Sequence, residues 1–162
     1  MKRIFTTTFC LCLLLTAVFA QEREQTYQCP PGVICDPRKI DEYGSILWSD
    51  EKARLDNVAI QLQHEPADFG IYLVAYGGRR ACIGESQVRL LRAKNYLVGK
   101  RGIPSSRVVT IDGGYREEQM GEIWVLPRGF GEPYSSPTVD KSEVKLRDCT
   151  PKSKVRRKRG GS

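Results

Sequence analysis

Six residues in succession, Ile71-Tyr72-Leu73-Val74-Ala75-Tyr76, form a short and almost wholly apolar run. Such a run, rich in β-branched and aromatic residues, suits a central strand covered on both faces. Gly77-Gly78 ends it, and Arg79-Arg80-Ala81-Cys82-Ile83-Gly84 reads as an exposed turn. Glu85 to Arg101 then predicts a helix, with Val88, Leu91, Asn95 and Val98 on one side and Leu90, Ala93 and Leu97 beside them. Gly99 and Gly102 weaken its end, Pro104 marks the exit, and Val108 to Asp112 reads as another strand. The stretch from Gly70 to Tyr115 is therefore a strand, helix, strand unit, and its first turn is where a site is expected.

The flanks add elements of both kinds. Lys39 to Ser45 predicts a short opening strand. Trp48-Ser49-Asp50-Glu51 reads as a helix start with Ser49 as N-cap and two acids in the first turn, where the helix dipole favours them. Leu55, Val58, Ala59 and Leu62 make one buried stripe, and Pro66 stops the helix near His64. Gly113-Gly114 is expected to turn, Glu122 to Leu126 to form a last strand before Pro127, and Pro133, Ser135, Ser136 and Pro137 to keep the chain extended up to Cys149. No internal repeat divides this body, and its length suits one domain.

The N-terminus has the order of a secretory signal: basic Met1-Lys2-Arg3, an apolar run from Ile4 to Ala20, and small residues before polar Gln21. Residues 1–20 are expected to be removed. A retained membrane anchor is the rival reading, opposed by an apolar run that barely reaches the roughly 20 residues needed to span a bilayer. Cys10 and Cys12 leave with the peptide. Cys29, Cys35, Cys82 and Cys149 stay in a compartment that permits oxidation.

Three pairings of those four are possible. Cys29 and Cys35 bracket the turn-forming Pro30-Pro31-Gly32, so a local bridge pinning a leader over residues 21–38 is expected, leaving Cys82 for Cys149. On the loop-entropy account the short ring stabilises by about 2 kcal/mol and the long one by about 4 kcal/mol. No metal is expected, because neither a two-residue cysteine spacing nor a second histidine exists to complete a zinc site.

Charge separates body from tail. Residues 21–149 hold 18 Lys+Arg against 19 Asp+Glu, whereas residues 150–162 hold six basic residues and no acid. The tail has no apolar face to bury, which predicts disorder and attraction to polyanions. In a secreted chain, lipid head groups and anionic wall polymers are the expected polyanions rather than nucleic acid. A solvated terminus with no dedicated partner explains the same residues.

Two stretches carry a family resemblance. Val88-Arg89-Leu90-Leu91-Arg92-Ala93-Lys94-Asn95-Tyr96-Leu97 resembles a helix of the C-terminal domain of outer-membrane protein A and the peptidoglycan-associated lipoproteins, in which an Arg-Ala pair precedes a Tyr-Leu pair. Lys100-Arg101-Gly102-Ile103-Pro104-Ser105-Ser106-Arg107-Val108 resembles the segment that follows it. The resemblance covers roughly Ile40 to Leu126. It implies an α+β fold of order β-α-β-α-β-β over residues 39–127: a two-layer sandwich with the helices on one face of a mixed sheet. An extended segment, 128–149, and the basic tail, 150–162, would follow. It also implies a periplasmic or outer-membrane-peripheral module that binds peptidoglycan.

That family grips the carboxylate and amine of diaminopimelate with an arginine on this helix and an aspartate in the preceding turn. Arg92 matches the arginine. The aspartate position falls at Gly78, the turn from Gly77 to Glu85 holds no aspartate, and Glu85 is its one acid. Where the family's last strand usually opens with paired arginines, this chain has Glu122 and Ile123.

The residues themselves favour an anion. Arg79, Arg80 and Arg92 would converge where the strand meets the helix, and amides near Glu85 would assist, making Arg92, Arg79, Arg80, Gly78 and Glu85 the candidate ligand-binding set. Alternatively Arg79 and Arg80 are solvated and Arg92 pairs with Glu85 or Asp112. Asp112 with Glu117 and Glu118 is a candidate paired-carboxylate site for hydrolysis, although a charged hairpin accounts for the same acids. His64 reads as a surface residue, no serine sits in a nucleophile elbow, and neither Gly-Gly pair stands in a phosphate-loop setting. No catalysis and no cofactor is expected. The sequence thus describes a non-catalytic cell-envelope module contacting peptidoglycan or another anionic envelope polymer. The alternative is a module that keeps the fold and docks an envelope protein or an anionic surface.

Overall fold

The computed structural model describes residues 38–149. The expected signal peptide, the Cys29–Cys35 bridge and the basic tail lie outside the described residues. Elements run β1 (Arg38–Tyr43), α1 (Trp48–Gln63), β2 (Phe69–Gly77), α2 (Glu85–Arg101), a 3-10 turn (Ser105–Arg107), β3 (Val108–Tyr115), β4 (Met120–Pro127) and a second 3-10 turn (Lys141–Glu143). The fold is α+β, with four strands in the order β1-β4-β2-β3 and the two helices on one face. β2 runs parallel to β3 and antiparallel to β4, which in turn runs antiparallel to β1.

Every residue of β2 is buried, which explains its unbroken apolar sequence: it is flanked by strands on both edges and covered on both faces. Ile71, Leu73 and Ala75 face the helices and pack with Leu55, Val58, Ala59 and Leu62 of α1 and Leu90, Ala93 and Leu97 of α2. Each such fully buried aliphatic side chain contributes about 1.5–3 kcal/mol relative to exposure. Tyr72, Val74 and Tyr76 point to the other face, where residues 128–139 cross the sheet. Arg128 N donates to Asp68 O at 2.7 Å, Ser136 N to the Tyr76 hydroxyl at 3.2 Å, and Val139 bridges Tyr115.

Several expectations change in detail. The first strand spans Arg38–Tyr43 rather than Lys39 to Ser45. Helix α1 begins at Trp48, with Leu47 in the N-cap position and no side-chain cap, so Ser49 lies inside it. Packing explains this: Trp48 meets Tyr96 edge-on at 5.6 Å and lies under the Arg92 guanidinium at 4.3 Å, which draws the first turn onto α2. On α2 the buried side is Leu90, Ala93 and Leu97, and Val88 and Leu91 are exposed. Gly113-Gly114 is part of β3 rather than a turn. The Tyr76 ring lies over Gly113, where a Cβ would overlap it.

The acids after β3 do not form a hairpin. β3 and β4 lie on opposite sides of β2, so the connection between them, Arg116 to Gln119, passes over the C-terminal end of β2. This crossing builds the site.

Candidate functional site

The turn that leaves β2 is held on two sides. Gly77 and Gly78 are required by close approach: a Cβ on Gly77 would stand 2.9 Å from the Tyr115 ring, and one on Gly78 would stand 3.2 Å from Gln119 N. Arg116 N donates to Gly77 O at 2.9 Å and Arg79 N to Glu117 O at 3.3 Å, which ties the turn to the crossing chain. On the other side, Lys145 N donates to Arg79 O at 2.9 Å, Arg147 N to Ala81 O at 3.0 Å and Ile83 N to Arg147 O at 3.0 Å. The Cys82–Cys149 disulfide, closing a separation of 67 residues, anchors this pairing. The turn after β2 is thereby joined to the C-terminal segment.

Gly84, with φ 71°, reverses the chain into α2, a conformation glycine adopts without steric cost. Glu85 then closes the corner. One of its oxygens accepts from Cys82 N at 3.0 Å and the other from Gln119 Nε2 at 2.9 Å.

An open cleft of about 490 Å³ results, lined by Gly78, Arg79, Arg80, Glu85, Glu118 and Gln119 with their neighbours. Arg79 is neutralised within it: its Nη2 donates to Glu117 at 2.8 Å and its Nη1 to Glu143 at 2.9 Å. The hydrogen bond to Glu117, then that to Glu143, raises the Arg79 guanidinium further above its already basic range. Arg79 in turn holds the Glu117 carboxyl below its ordinary value. Arg80 is different. Its carbonyl accepts from Arg147 Nη2 at 3.1 Å, while its exposed guanidinium has no carboxylate within ion-pair distance among the described residues. Glu118, exposed on the facing turn, likewise has no cation partner among them.

Arg92 does not join this cleft, so the three arginines do not converge. It bonds to Glu51 of α1 and stacks on Trp48. Glu51 is 3 % exposed and also accepts from the Tyr43 hydroxyl at 3.0 Å. Neither Glu85 nor Asp112 is its partner, because α1 supplies a buried carboxylate nearer its position. Asp112 instead accepts from Gln87 and from Gly114 N. Its expected companion Glu117 is ion-paired with Arg79. Among the described residues no cluster of His, Cys, Asp and Glu is placed to hold a metal ion.

Glu122, standing where the resemblance expects an arginine, is 3 % exposed on the sheet face away from the helices. Its carboxylate accepts from Arg116 Nη2 at 2.7 Å, Trp124 Nε1 at 3.1 Å, Tyr76 OH at 3.3 Å and Lys39 Nζ at 3.5 Å. Four donors satisfy it, as a buried charge requires.

Sequence reasoning missed Glu118 and Gln119 as members of the cleft. The available signal was the end of the sheet: in parallel arrangements, sites collect beyond the carboxyl ends of the strands, and the β3–β4 connection lies at that end. The chain matches no family model, no curated protein and no solved structure.

Proposed function

We propose that the protein is a non-catalytic module of the cell envelope, located in the periplasm or at the outer-membrane periphery, that binds a zwitterionic wall peptide in the cleft around Gly78. One observation carries this reading: the cleft brings a guanidinium, Arg80, and a carboxylate, Glu118, neither of them ion-paired among the described residues, to facing turns. That pair suits a group bearing both carboxylate and ammonium, as diaminopimelate in a peptidoglycan stem does. The resemblance to the outer-membrane protein A C-terminal domain supports the same ligand, with one revision. Arg80 takes the place of the helix arginine, and Glu118, from the crossing turn, replaces the aspartate missing at Gly78. Arg79 holds the Glu117 carboxyl below its ordinary range, which suits this residue poorly to the part of a general acid.

The test is co-sedimentation with isolated peptidoglycan at physiological salt. Arg80→Ala and Glu118→Gln should each weaken binding about tenfold, the scale of one charge-assisted hydrogen bond. Equal sedimentation of both variants with the parent protein would remove the cleft from the account.

A further inference from the structure

On the sheet face away from the helices, Tyr72 stands beside Val109, its partner on β3, and Trp124, its partner on β4. The chain leaving β4 passes next to Tyr72 and Val109. Gly129 and Gly131, with φ 96° and 107°, bend it in the left-handed region that favours glycine. A groove of about 390 Å³ is left there, lined by Tyr72, Val109, Phe130 and Glu132 with the two glycines. Its size falls in the range of small-molecule sites.

Tyr72 is 5 % exposed, yet no described residue forms a hydrogen bond with its hydroxyl. No buried polar side-chain atom of the described residues lacks a partner, so the hydroxyl is the part of Tyr72 that opens into the groove. A tyrosine buried to this degree usually gives its hydroxyl a partner, and here only an occupant of the groove can supply one beyond solvent. Charged groups flank it. Burial, and then the Glu132 carboxylate, raise the hydroxyl above its ordinary value, while Arg128 opposes them. Arg128 directs its guanidinium to the Asp68 and Ala67 carbonyls, whereas Glu132 forms no ion pair among the described residues. Phe130, 37 % exposed, adds an aromatic wall.

This chemistry selects an occupant. A neutral phenol both donates and accepts, and a carboxylate accepts at two oxygens. One carboxylate beside one guanidinium leaves no net charge to recruit an ion. An uncharged ring with a hydroxyl-bearing rim and an apolar C–H face satisfies both the polar groups and the aromatic wall. We propose that the groove binds a pyranose ring of a glycan, whose C–H face lies on Phe130 and whose hydroxyls bond the Tyr72 hydroxyl and the Glu132 carboxylate. Gly78 is six residues farther along the chain, about 20 Å at the rise of an extended strand, so this is a second site. It uses neither Arg80 nor Glu118 and stands or falls apart from the wall-peptide reading.

Amide NMR titration of the full chain tests it, with a linear tetramer of N-acetylglucosamine, a linear tetramer of glucose, and tetramethylammonium as a cation control. At least one sugar should shift the Val109, Gly129, Phe130 and Gly131 amides saturably. Response to the acetylated tetramer alone would support a glycan of N-acetylated sugars, and response to both would support pyranoses in general. Tyr72→Phe keeps the packed ring and removes only the hydroxyl, and should weaken binding about fivefold, the scale of one neutral hydrogen bond. Glu132→Gln should weaken it about tenfold and Phe130→Ala about fivefold. No shift with either sugar would overturn the proposal, as would sugar affinity left unchanged by both Tyr72→Phe and Phe130→Ala. Shifts with tetramethylammonium and none with sugars would assign the groove to a cation instead.

Discussion

Arg92 of α2 is bonded to Glu51 of α1, and the carboxylate it reaches is buried. The contact joins two helices that also meet through Trp48 with Tyr96 and through Asp56 with Tyr96 and Arg101, and it gives Arg92 a structural part. Arg92→Ala should therefore destabilise the fold by about 1–3 kcal/mol, the cost of leaving a buried acceptor short of a partner, while wall-peptide affinity stays unchanged. Chemical denaturation beside a binding titration separates the two effects.

The Cys82–Cys149 bridge closes a 67-residue separation, which on the loop-entropy account contributes about 4 kcal/mol. Cys149→Ser should lower stability by up to that amount and release the chain that pairs with the turn. Hydrogen exchange at the Ile83 and Arg147 amides, which bond across this pairing, should accelerate more than exchange in β2.

Gly113 lies beneath the ring of Tyr76, which is fully buried. Gly113→Ala should cost about 1–3 kcal/mol through overpacking. A melting temperature equal to the parent's would mean that the ring moves aside freely.

Acid should weaken the contact between the helices. The hydrogen bond from Arg101, and then that from Tyr96, hold the Asp56 carboxyl below its ordinary value of 3.8 against the opposing effect of burial. A carboxyl depressed on folding stabilises above its unfolded value, and the contribution disappears as pH falls through the folded one. Melting temperature should thus decline below about pH 4, and Asp56→Asn should make that decline shallower.

The fold was legible where one residue pattern admits one arrangement. The apolar run Ile71 to Tyr76 demanded a strand with neighbours on both edges, and the glycines and proline around α2 bounded a helix between two strands. What stayed hidden depended on how strands are ordered. Nothing local says that β4 inserts between β1 and β2, so Glu117 and Glu118 read as part of a charged hairpin rather than as a chain crossing the end of β2. The site was hidden for the same reason: Glu118 is 33 residues from Glu85 in sequence yet lines the same cleft. The partner of Arg92 was hidden as well, because Glu51 belongs to another helix and no spacing along α2 points to it. The choice between the two sides of α2 was open in sequence because both are apolar, and only packing selects Leu90, Ala93 and Leu97.

Calorimetric titration of a soluble stem peptide containing diaminopimelate into the parent protein, Arg80→Ala and Arg92→Ala tests the central claim most directly. The cleft account predicts binding by the parent, about tenfold weaker binding by Arg80→Ala, and parent-like affinity for folded Arg92→Ala. Absence of binding by the parent, or affinity lost with Arg92 and kept without Arg80, would contradict it.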